Sequence, residues 1–278
     1  MIAFDFNYIK PATVAEANQT YTMVHDQGDH AMYFSGGTEI ITRARVNELK
    51  VDTVIDIKEI AECTVMEVQD DKLVIGAAMS LNHITNSNLF PLLGETIKKI
   101  ADHTSRNKIT IGGNINSELI YKESVLPLLL VDAKVKLVKG TKEKIVPLSS
   151  VFDKKLKVQA GELLLQVIID TEYTKLPYAS LKKTRFSKVG YPVISAAAIV
   201  KDKKIRIAFS GVCEYPFRSQ EVENILNDSK KSVSERIEKA INSLPTNVLD
   251  DLQGSNEYRV FVLRNMLYDI MEEMGMGE

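Results

Sequence analysis

Two glycine pairs, each flanked by hydroxyl or amide side chains, constrain the folding of this chain most strongly. The first lies in Ser35-Gly36-Gly37-Thr38-Glu39 and the second in Thr110-Ile111-Gly112-Gly113-Asn114. Each follows an apolar or β-branched run, so each is predicted at the end of a strand. A glycine has no Cβ to hold a ligand away from the backbone, and successive exposed N–H groups can bind an anion. Either pair alone is more typical of an ordinary turn, but together they predict a cradle for a diphosphate.

Composition describes a globular protein and excludes several classes. The chain is 45% hydrophobic and 26% charged, with a net charge of −2, which is typical of folded domains and gives no electrostatic basis for binding nucleic acid or a membrane surface. No stretch approaches the roughly 20 apolar residues of a membrane span. The first residues lack the basic and apolar regions of a signal peptide. The sequence therefore predicts a cytoplasmic protein with neither a nucleic-acid nor a membrane partner.

Metal-binding patterns are missing from the sequence. Cys63 and Cys213 are the two cysteines, and the four histidines show no HExxH or related spacing. An iron–sulfur cluster requires a set of thiolates, usually four. We therefore expect no metal site in this chain, so any metals of a redox complex would lie on other chains.

The pattern of apolar runs divides the chain into three predicted domains, over residues 1–57, 58–175 and 176–278. The first reads as a small β–α–β unit, with a capping box between Thr13 and Glu16 at the start of a preceding helix. Its predicted elements are the helix Ala12–Gln27, the strand Ala31–Phe34, the helix Thr38–Arg45 and the strand Thr53–Ile57.

The second domain is predicted to hold a mixed sheet and the third a small sheet with amphipathic helices. Lys139-Gly140-Thr141-Lys142 predicts a hairpin turn in the second. The predicted elements of the second are the strands Lys72–Ala77, Lys134–Val138 and Leu163–Ile169 and the helix Leu92–His103. Those of the third are the strands Val193–Val200 and Ile205–Val212 and the helices Gln220–Asn227, Val233–Leu244 and Glu257–Glu273.

The usual nucleotide-binding fingerprints do not occur. There is no GxGxxG between a predicted strand and helix, and no GxxxxGK[ST]. The sequence thus supports neither a Rossmann dinucleotide site nor a P-loop. Any phosphates would have to be bound by the two separate glycine turns.

Both turns, with their flanking residues, resemble the two FAD-binding signatures in the flavoprotein subunit of molybdenum hydroxylases. That family includes xanthine dehydrogenases and the medium subunit of carbon monoxide dehydrogenase. The matching segments are 33–40 and 106–115, with further matches at 6–11, 54–57, 73–77 and 254–259. The resemblance implies an α+β, FAD-binding fold: a small β–α–β lobe, a mixed-sheet lobe, and a C-terminal lobe of a small antiparallel sheet and helices.

The resemblance also implies which residues contact a non-covalently bound FAD. Backbone amides of the two signatures would surround the diphosphate, Glu123 stands where the family usually has an aspartate for the flavin's hydroxylated chain, and Leu164 and Lys182 match positions beside the isoalloxazine. Ile100 matches a position for an aromatic ring. Independently of the resemblance, Tyr191 lies between Gly190 and Pro192 and is predicted in a defined loop, either opposite the flavin, where it gates access of an electron acceptor, or as a half-buried loop tyrosine. The full predicted set is Tyr33, Phe34, Ser35, Gly36, Gly37, Thr38, Glu39, Ile40, Ile100, Thr110, Ile111, Gly112, Gly113, Asn114, Glu123, Leu164, Lys182 and Tyr191.

The function implied is electron transfer without catalytic residues of its own. Electrons would pass from [2Fe–2S] clusters on an iron–sulfur subunit to FAD and then to a soluble acceptor such as NAD, while a third subunit binds molybdopterin. Two alternatives remain open at this point: a self-contained flavin oxidoreductase, and a non-catalytic FAD-binding or assembly protein.

Overall fold

The computed structural model describes residues 1–187 and 189–276, which form two compact units. The first unit comprises Met1–Ile84, His103–Ser117 and Ala133–Thr171. The second comprises Thr85–Asp102, Glu118–Asp132 and the chain from Glu172 on. The domain boundaries predicted after residues 57 and 175 stay predictions.

The first unit begins with a three-stranded parallel sheet in the order β1-β3-β2. Its elements are β1 (Asn7–Ile9), α1 (Val14–Asp26), β2 (Ala31–Phe34), α2 (Thr38–Arg45) and β3 (Thr53–Asp56). The β–α–β prediction is confirmed, and β2 and α2 have the predicted bounds. Thr13 caps α1 by accepting a hydrogen bond from the Glu16 amide, as predicted, but the Glu16 carboxylate accepts from the amide of Ala12 rather than of Thr13.

A five-stranded sheet completes the larger part of the first unit, in the order β4-β5-β10-β6-β7. The strands are β4 (Met66–Gln69), β5 (Lys72–Gly76), β6 (Lys134–Lys139), β7 (Lys142–Pro147) and β10 (Leu163–Asp170), with a two-stranded ribbon of β8 (Phe152–Asp153) and β9 (Lys155–Leu156). All pairings in the large sheet are antiparallel, so the prediction of a mixed sheet is wrong in this detail. Its hairpins β4–β5 and β6–β7 are joined by two-residue turns, which can only connect antiparallel strands.

Short helices connect these strands. In chain order they are α3 (Ala61–Thr64), α4 (Leu81–Ser87), α5 (Pro91–Ile97), α6 (His103–Arg106), α7 (Ile111–Ile115), α8 (Val125–Leu130) and α9 (Leu148–Val151). The single helix predicted over Leu92–His103 is therefore wrong in extent, because α5 ends at Ile97 and α6 begins at His103.

The second unit contains an antiparallel sheet in the order β11-β12-β13-β14. Its elements are β11 (Tyr178–Thr184), β12 (Pro192–Lys201), β13 (Lys204–Ser210), β14 (Phe217–Arg218), α10 (Gln220–Leu226), α11 (Val233–Asn242) and α12 (Asn256–Glu273). Apolar side chains of the sheet, such as Ile207 and Phe209, pack with Ile237, Leu263 and Ile270 of the helices in one buried core. The predicted small sheet with helices is thus confirmed.

The longest helix, α12, carries charged residues along its length. Within residues 1–187 and 189–276, no helix combines the length and apolar character needed to cross a membrane.

Candidate FAD site

The first glycine turn connects β2 to α2 in the first unit. Gly37 adopts the left-handed conformation, with φ of +69°, and a Cβ there would lie 2.3 Å from the Phe34 ring. Both observations require glycine at this position, since a left-handed backbone strains other residues. The turn therefore brings the chain directly from the end of β2 to the start of α2.

The start of α2 has open hydrogen-bond donors. The first amides of an α-helix have no partner within the helix, and Gly37, at the N-cap, has no side chain to accept from them. The amides of Thr38 and Ile40 belong to this first turn. Donors at a helix N-terminus, together with the helix dipole, favour an anion.

The second glycine motif differs from the predicted strand and turn. Thr110 makes only an isolated bridge to Ser80, and α7 begins at the next residue. The β-branched run before the glycines suggested a strand, but the Thr110 side chain caps the helix by accepting from the Gly113 amide at 3.3 Å. A capping threonine is equally extended in its backbone, so the local sequence does not separate the two cases.

Backbone amides of the second motif are mostly bonded within the chain. The amide of Ile111 donates to the Met79 carbonyl and that of Gly112 to the Ala77 carbonyl, each at 2.9 Å. The Asn114 amide donates to the Thr110 carbonyl. In this structure the amide donors available to an anion are therefore concentrated in the first motif rather than shared between both.

The two motifs contact one another within the first unit. The hydroxyls of Ser35 and Thr110 are 2.7 Å apart. A Cβ on Gly36 would lie 1.9 Å from the carbonyl oxygen of Lys108, so only glycine allows this approach. The Ser117 hydroxyl donates to the carboxylate of Glu39 on α2. The signatures predicted to bind one ligand are thus held side by side.

The glycines of the second motif have different surroundings. A Cβ on Gly112 would lie 2.7 Å from the Cβ of Ala77, so this glycine is needed for packing. A Cβ on Gly113 would lie 3.0 Å from the Thr110 hydroxyl oxygen. Gly113 is exposed.

The remaining predicted residues of the first unit have structural contacts. The Tyr33 hydroxyl lies 3.2 Å from two acceptors, Asn18 Oδ1 and the Gly161 carbonyl oxygen, which share its one proton, and burial raises the pKa of Tyr33 above its ordinary value. Ile40 is half-buried on α2. Leu164 is buried in β10, opposite Leu137 of β6.

Two predicted residues of the second unit form a buried ion pair. The Lys182 ammonium donates to the Glu123 carboxylate at 2.8 Å, and their side chains are 6% and 7% exposed. Lys182 also donates to the Lys99 carbonyl at 2.7 Å. The family resemblance predicted Glu123 and Lys182 as two separate flavin contacts. It did not predict the ion pair between them.

Tyr191 and Ile100 are the other predicted residues of the second unit. The Tyr191 ring stacks on that of Tyr121, with 4.8 Å between centroids and 18° between planes. Tyr191 is 50% exposed, whereas Tyr121 is buried and its carbonyl accepts from the Ser210 hydroxyl. Ile100 is buried. One face of the half-exposed Tyr191 ring is therefore covered by the buried Tyr121 ring.

Comparison with known proteins identifies the chain. The model of the FAD binding domain in molybdopterin dehydrogenase matches residues 4–171, and that of the CO dehydrogenase flavoprotein C-terminal domain matches residues 183–274. The chain belongs to the FAD-binding family of molybdopterin dehydrogenases. It is an FAD-dependent oxidoreductase subunit.

Two relatives and one solved structure illustrate the family. The FAD-subunit of nicotinate dehydrogenase from Eubacterium barkeri is 27% identical, over 76% of this chain and 72% of that protein. Subunit alpha of the 6-hydroxypseudooxynicotine dehydrogenase complex from Paenarthrobacter nicotinovorans is also 27% identical, over 94% and 92%. Quinoline 2-oxidoreductase from Pseudomonas putida 86 has the same fold, with a TM-score of 0.87 at 19% identity over 100% and 99% of the two chains.

The residues present fit an FAD diphosphate at the first turn. The uncapped amides of Thr38 and Ile40 are donors for phosphate oxygens, and the exposed Gly113 has no side chain to hold a ligand away from its backbone. The fit is therefore a property of this backbone as well as of the family.

Sequence reasoning missed two residues beside the first turn. Asp56 ends β3 with its side chain fully buried, and the Lys58 ammonium donates to its carboxylate at 2.6 Å and to the Ser35 carbonyl at 2.9 Å. An acidic residue directly after the buried strand Val54-Ile55 was the available signal, since buried carboxylates are rare unless paired.

Proposed function

We propose that this chain is the electron-transfer subunit of a molybdenum hydroxylase complex. In this proposal it receives electrons from [2Fe–2S] clusters on an iron–sulfur subunit and passes them to a soluble acceptor such as NAD, while a third subunit binds molybdopterin and oxidises the substrate. The match of both family models to successive parts of the chain carries this proposal. It is supported by relatives that are described as the FAD-subunit or the medium chain of dehydrogenases.

FAD supplies the ability to accept electrons singly and to deliver them in pairs. The first glycine turn would bind its diphosphate through the amides of Thr38 and Ile40, and Gly113 would leave room for the phosphates. Ser35 and Thr110, bonded to each other, would hold the two turns together. The assignments of Ile100, Glu123, Leu164, Lys182 and Tyr191 as flavin contacts stay predictions.

The cysteine count supports the division of cofactors among chains. The chain has two cysteines, both buried, and burial raises the pKa of the Cys63 thiol to about 12. A cluster requires more thiolates than these, and they must be deprotonated to bind iron. The clusters of the proposed complex therefore have to be on another subunit.

Purification of the chain from its native source tests the proposal. We expect it to copurify with two chains, one carrying two [2Fe–2S] clusters and one carrying molybdopterin. The chain expressed alone should be yellow, should release FAD on acid treatment, and should show at most slow NADH-to-dye activity.

Other outcomes would favour the alternative functions. Isolation of the chain alone, with rapid turnover of an organic substrate, would indicate a self-contained oxidoreductase. A chain that binds FAD but transfers no electrons from its reduced iron–sulfur partner would indicate a structural or assembly role.

A further inference from the structure

The side chains beside the first glycine turn form a connected polar group outside the two FAD-binding signatures at 33–40 and 106–115. Its members are Tyr8 on β1, Asp56 at the end of β3, and Lys58 in the helical turn that follows, all in the first unit. Tyr8 and Lys58 both donate to the Asp56 carboxylate, which is completely buried. We call this group the brace of the first turn.

Asp56 is ionised within the brace. Burial alone would raise the pKa of this carboxyl, but hydrogen bonds from the Lys58 side chain, Tyr8 and the Lys58 amide hold the pKa below its usual value. A buried charge of this kind is stable only while its partners stay in place. The carboxylate therefore fixes the position of the Lys58 ammonium.

Lys58 connects the brace to the diphosphate turn. Its ammonium donates to the carbonyl of Ser35, the first residue of the glycine motif, and lies 4.8 Å from the centre of the Phe34 ring. That ring lies against Gly37, where a Cβ would be 2.3 Å away. The same lysine thus contacts the residues on which the conformation of Ser35-Gly36-Gly37 depends.

We propose that Lys58 is a positioning residue for the FAD diphosphate. Held by Asp56, it fixes the Ser35 carbonyl, so that the following amides at the start of α2 are directed toward the phosphates before FAD binds. A preorganised site binds more tightly because less ordering is required on binding. This inference rests on the proposed diphosphate site at the first turn.

Substitution of two similarly exposed lysines distinguishes a positioning role of Lys58 from a general effect of positive charge near the site. Lys10 pairs with Glu59, the residue after Lys58, and its side chain is 39% exposed against 42% for Lys58. Lys10→Met and Lys58→Met therefore remove the same charge from the same region, but only Lys58 contacts the turn. Lys58→Arg keeps the charge and several donors.

The test measures FAD affinity of the full-length apoprotein by flavin fluorescence, and ADP affinity by competition with FAD. For Lys58→Met we expect FAD and ADP to weaken by the same factor, about tenfold, the size of losing one charged hydrogen bond. Lys58→Arg should stay within about threefold of the parent, and Lys10→Met within about twofold. Tyr8→Phe, which removes a donor to Asp56, should weaken both ligands in the same direction as Lys58→Met but less.

The outcomes distinguish this inference from the proposal on which it rests. If ADP does not displace FAD from the parent chain, the assignment of the diphosphate to the first turn is wrong, and the inference fails with it. If the dissociation constants of FAD and ADP are the same for the parent and Lys58→Met, the diphosphate site stands and the positioning role is wrong. A loss for FAD without a loss for ADP, or an equal loss in Lys10→Met, also overturns it.

Discussion

The predicted flavin residues of the two units differ in how their polar groups are bonded. At the first turn, the amides at the start of α2 receive no side-chain cap. In the second unit, Glu123 and Lys182 are buried and bonded to each other. Open donors indicate a ligand site, whereas a satisfied buried pair contributes to folding whether or not a ligand is bound. Substitutions in the two groups should therefore affect different quantities.

The largest expected effect is on folding, at the buried pair. Glu123→Ala leaves the Lys182 ammonium buried without its counterion, which typically costs about 3–5 kcal/mol in the free energy of unfolding. Denaturation of the apoprotein with urea measures this directly. Glu172→Ala is the control, because Glu172 forms an exposed pair with Lys201 at 2.8 Å, and its loss should cost less than about 1 kcal/mol.

A double variant sharpens the interpretation of that result. Replacing both members, as Glu123→Leu with Lys182→Met, should restore most of the stability, since an apolar pair can replace a buried ion pair with little loss. If Glu123→Ala instead leaves the free energy of unfolding unchanged and weakens only FAD binding, the pair is a ligand contact. The proposed difference between the two units would then be wrong.

At the glycine turns, the largest expected effect is on binding. Gly113→Val adds a branched side chain at an exposed glycine of the proposed diphosphate site, so FAD affinity should fall at least about 100-fold, or about 2.7 kcal/mol. The measurement is FAD content after reconstitution, with apoprotein stability recorded in parallel. Gly94→Ala is a helical control, since its Cβ would have ordinary contacts at 3.7 Å; it should retain FAD, whereas Gly113→Ala should not retain it fully.

Substitution of Gly36 should reduce the stability of the apoprotein, whereas substitution of Gly113 should mainly reduce FAD affinity. A Cβ on Gly36 would overlap the Lys108 carbonyl at 1.9 Å, and such overpacking costs on the order of 1–3 kcal/mol. Gly36→Ala should therefore lower the thermal unfolding temperature of the apoprotein, while Gly113→Ala, whose Cβ would meet the Thr110 hydroxyl at 3.0 Å, should lower it less. Equal stability of the two variants would contradict the distinct roles assigned to these glycines.

Local patterns predicted the β–α–β unit well, and the two glycine motifs were expected to share a ligand, but the individual side-chain pairs between distant positions were not predicted. The bounds of α2 were predicted from the helix-compatible stretch that follows the first glycine pair. The Glu123–Lys182 pair joins positions 59 apart, and the contact of Lys58 with Ser35 requires two strands to be paired first. No short-range spacing encodes such contacts. The prediction of a strand before the second glycine pair was wrong because Thr110 suits both a strand and a helix N-cap. Its bond to the Gly113 amide shows that it is the cap of α7.

The smallest expected effect tests Thr110, which belongs to both motifs. Thr110→Val keeps the shape of the side chain but removes the cap of α7 and the partner of the Ser35 hydroxyl, so the free energy of unfolding should fall by about 1 kcal/mol. Thr13→Val removes the corresponding cap of α1 and should cost a similar amount. Because Thr110 bonds to the first glycine motif and Thr13 does not, we expect FAD affinity to fall about threefold in Thr110→Val and to stay unchanged in Thr13→Val, as measured by titration of the apoproteins. Equal FAD affinities in the two variants would mean that the bond between the motifs stabilises the fold without shaping the site.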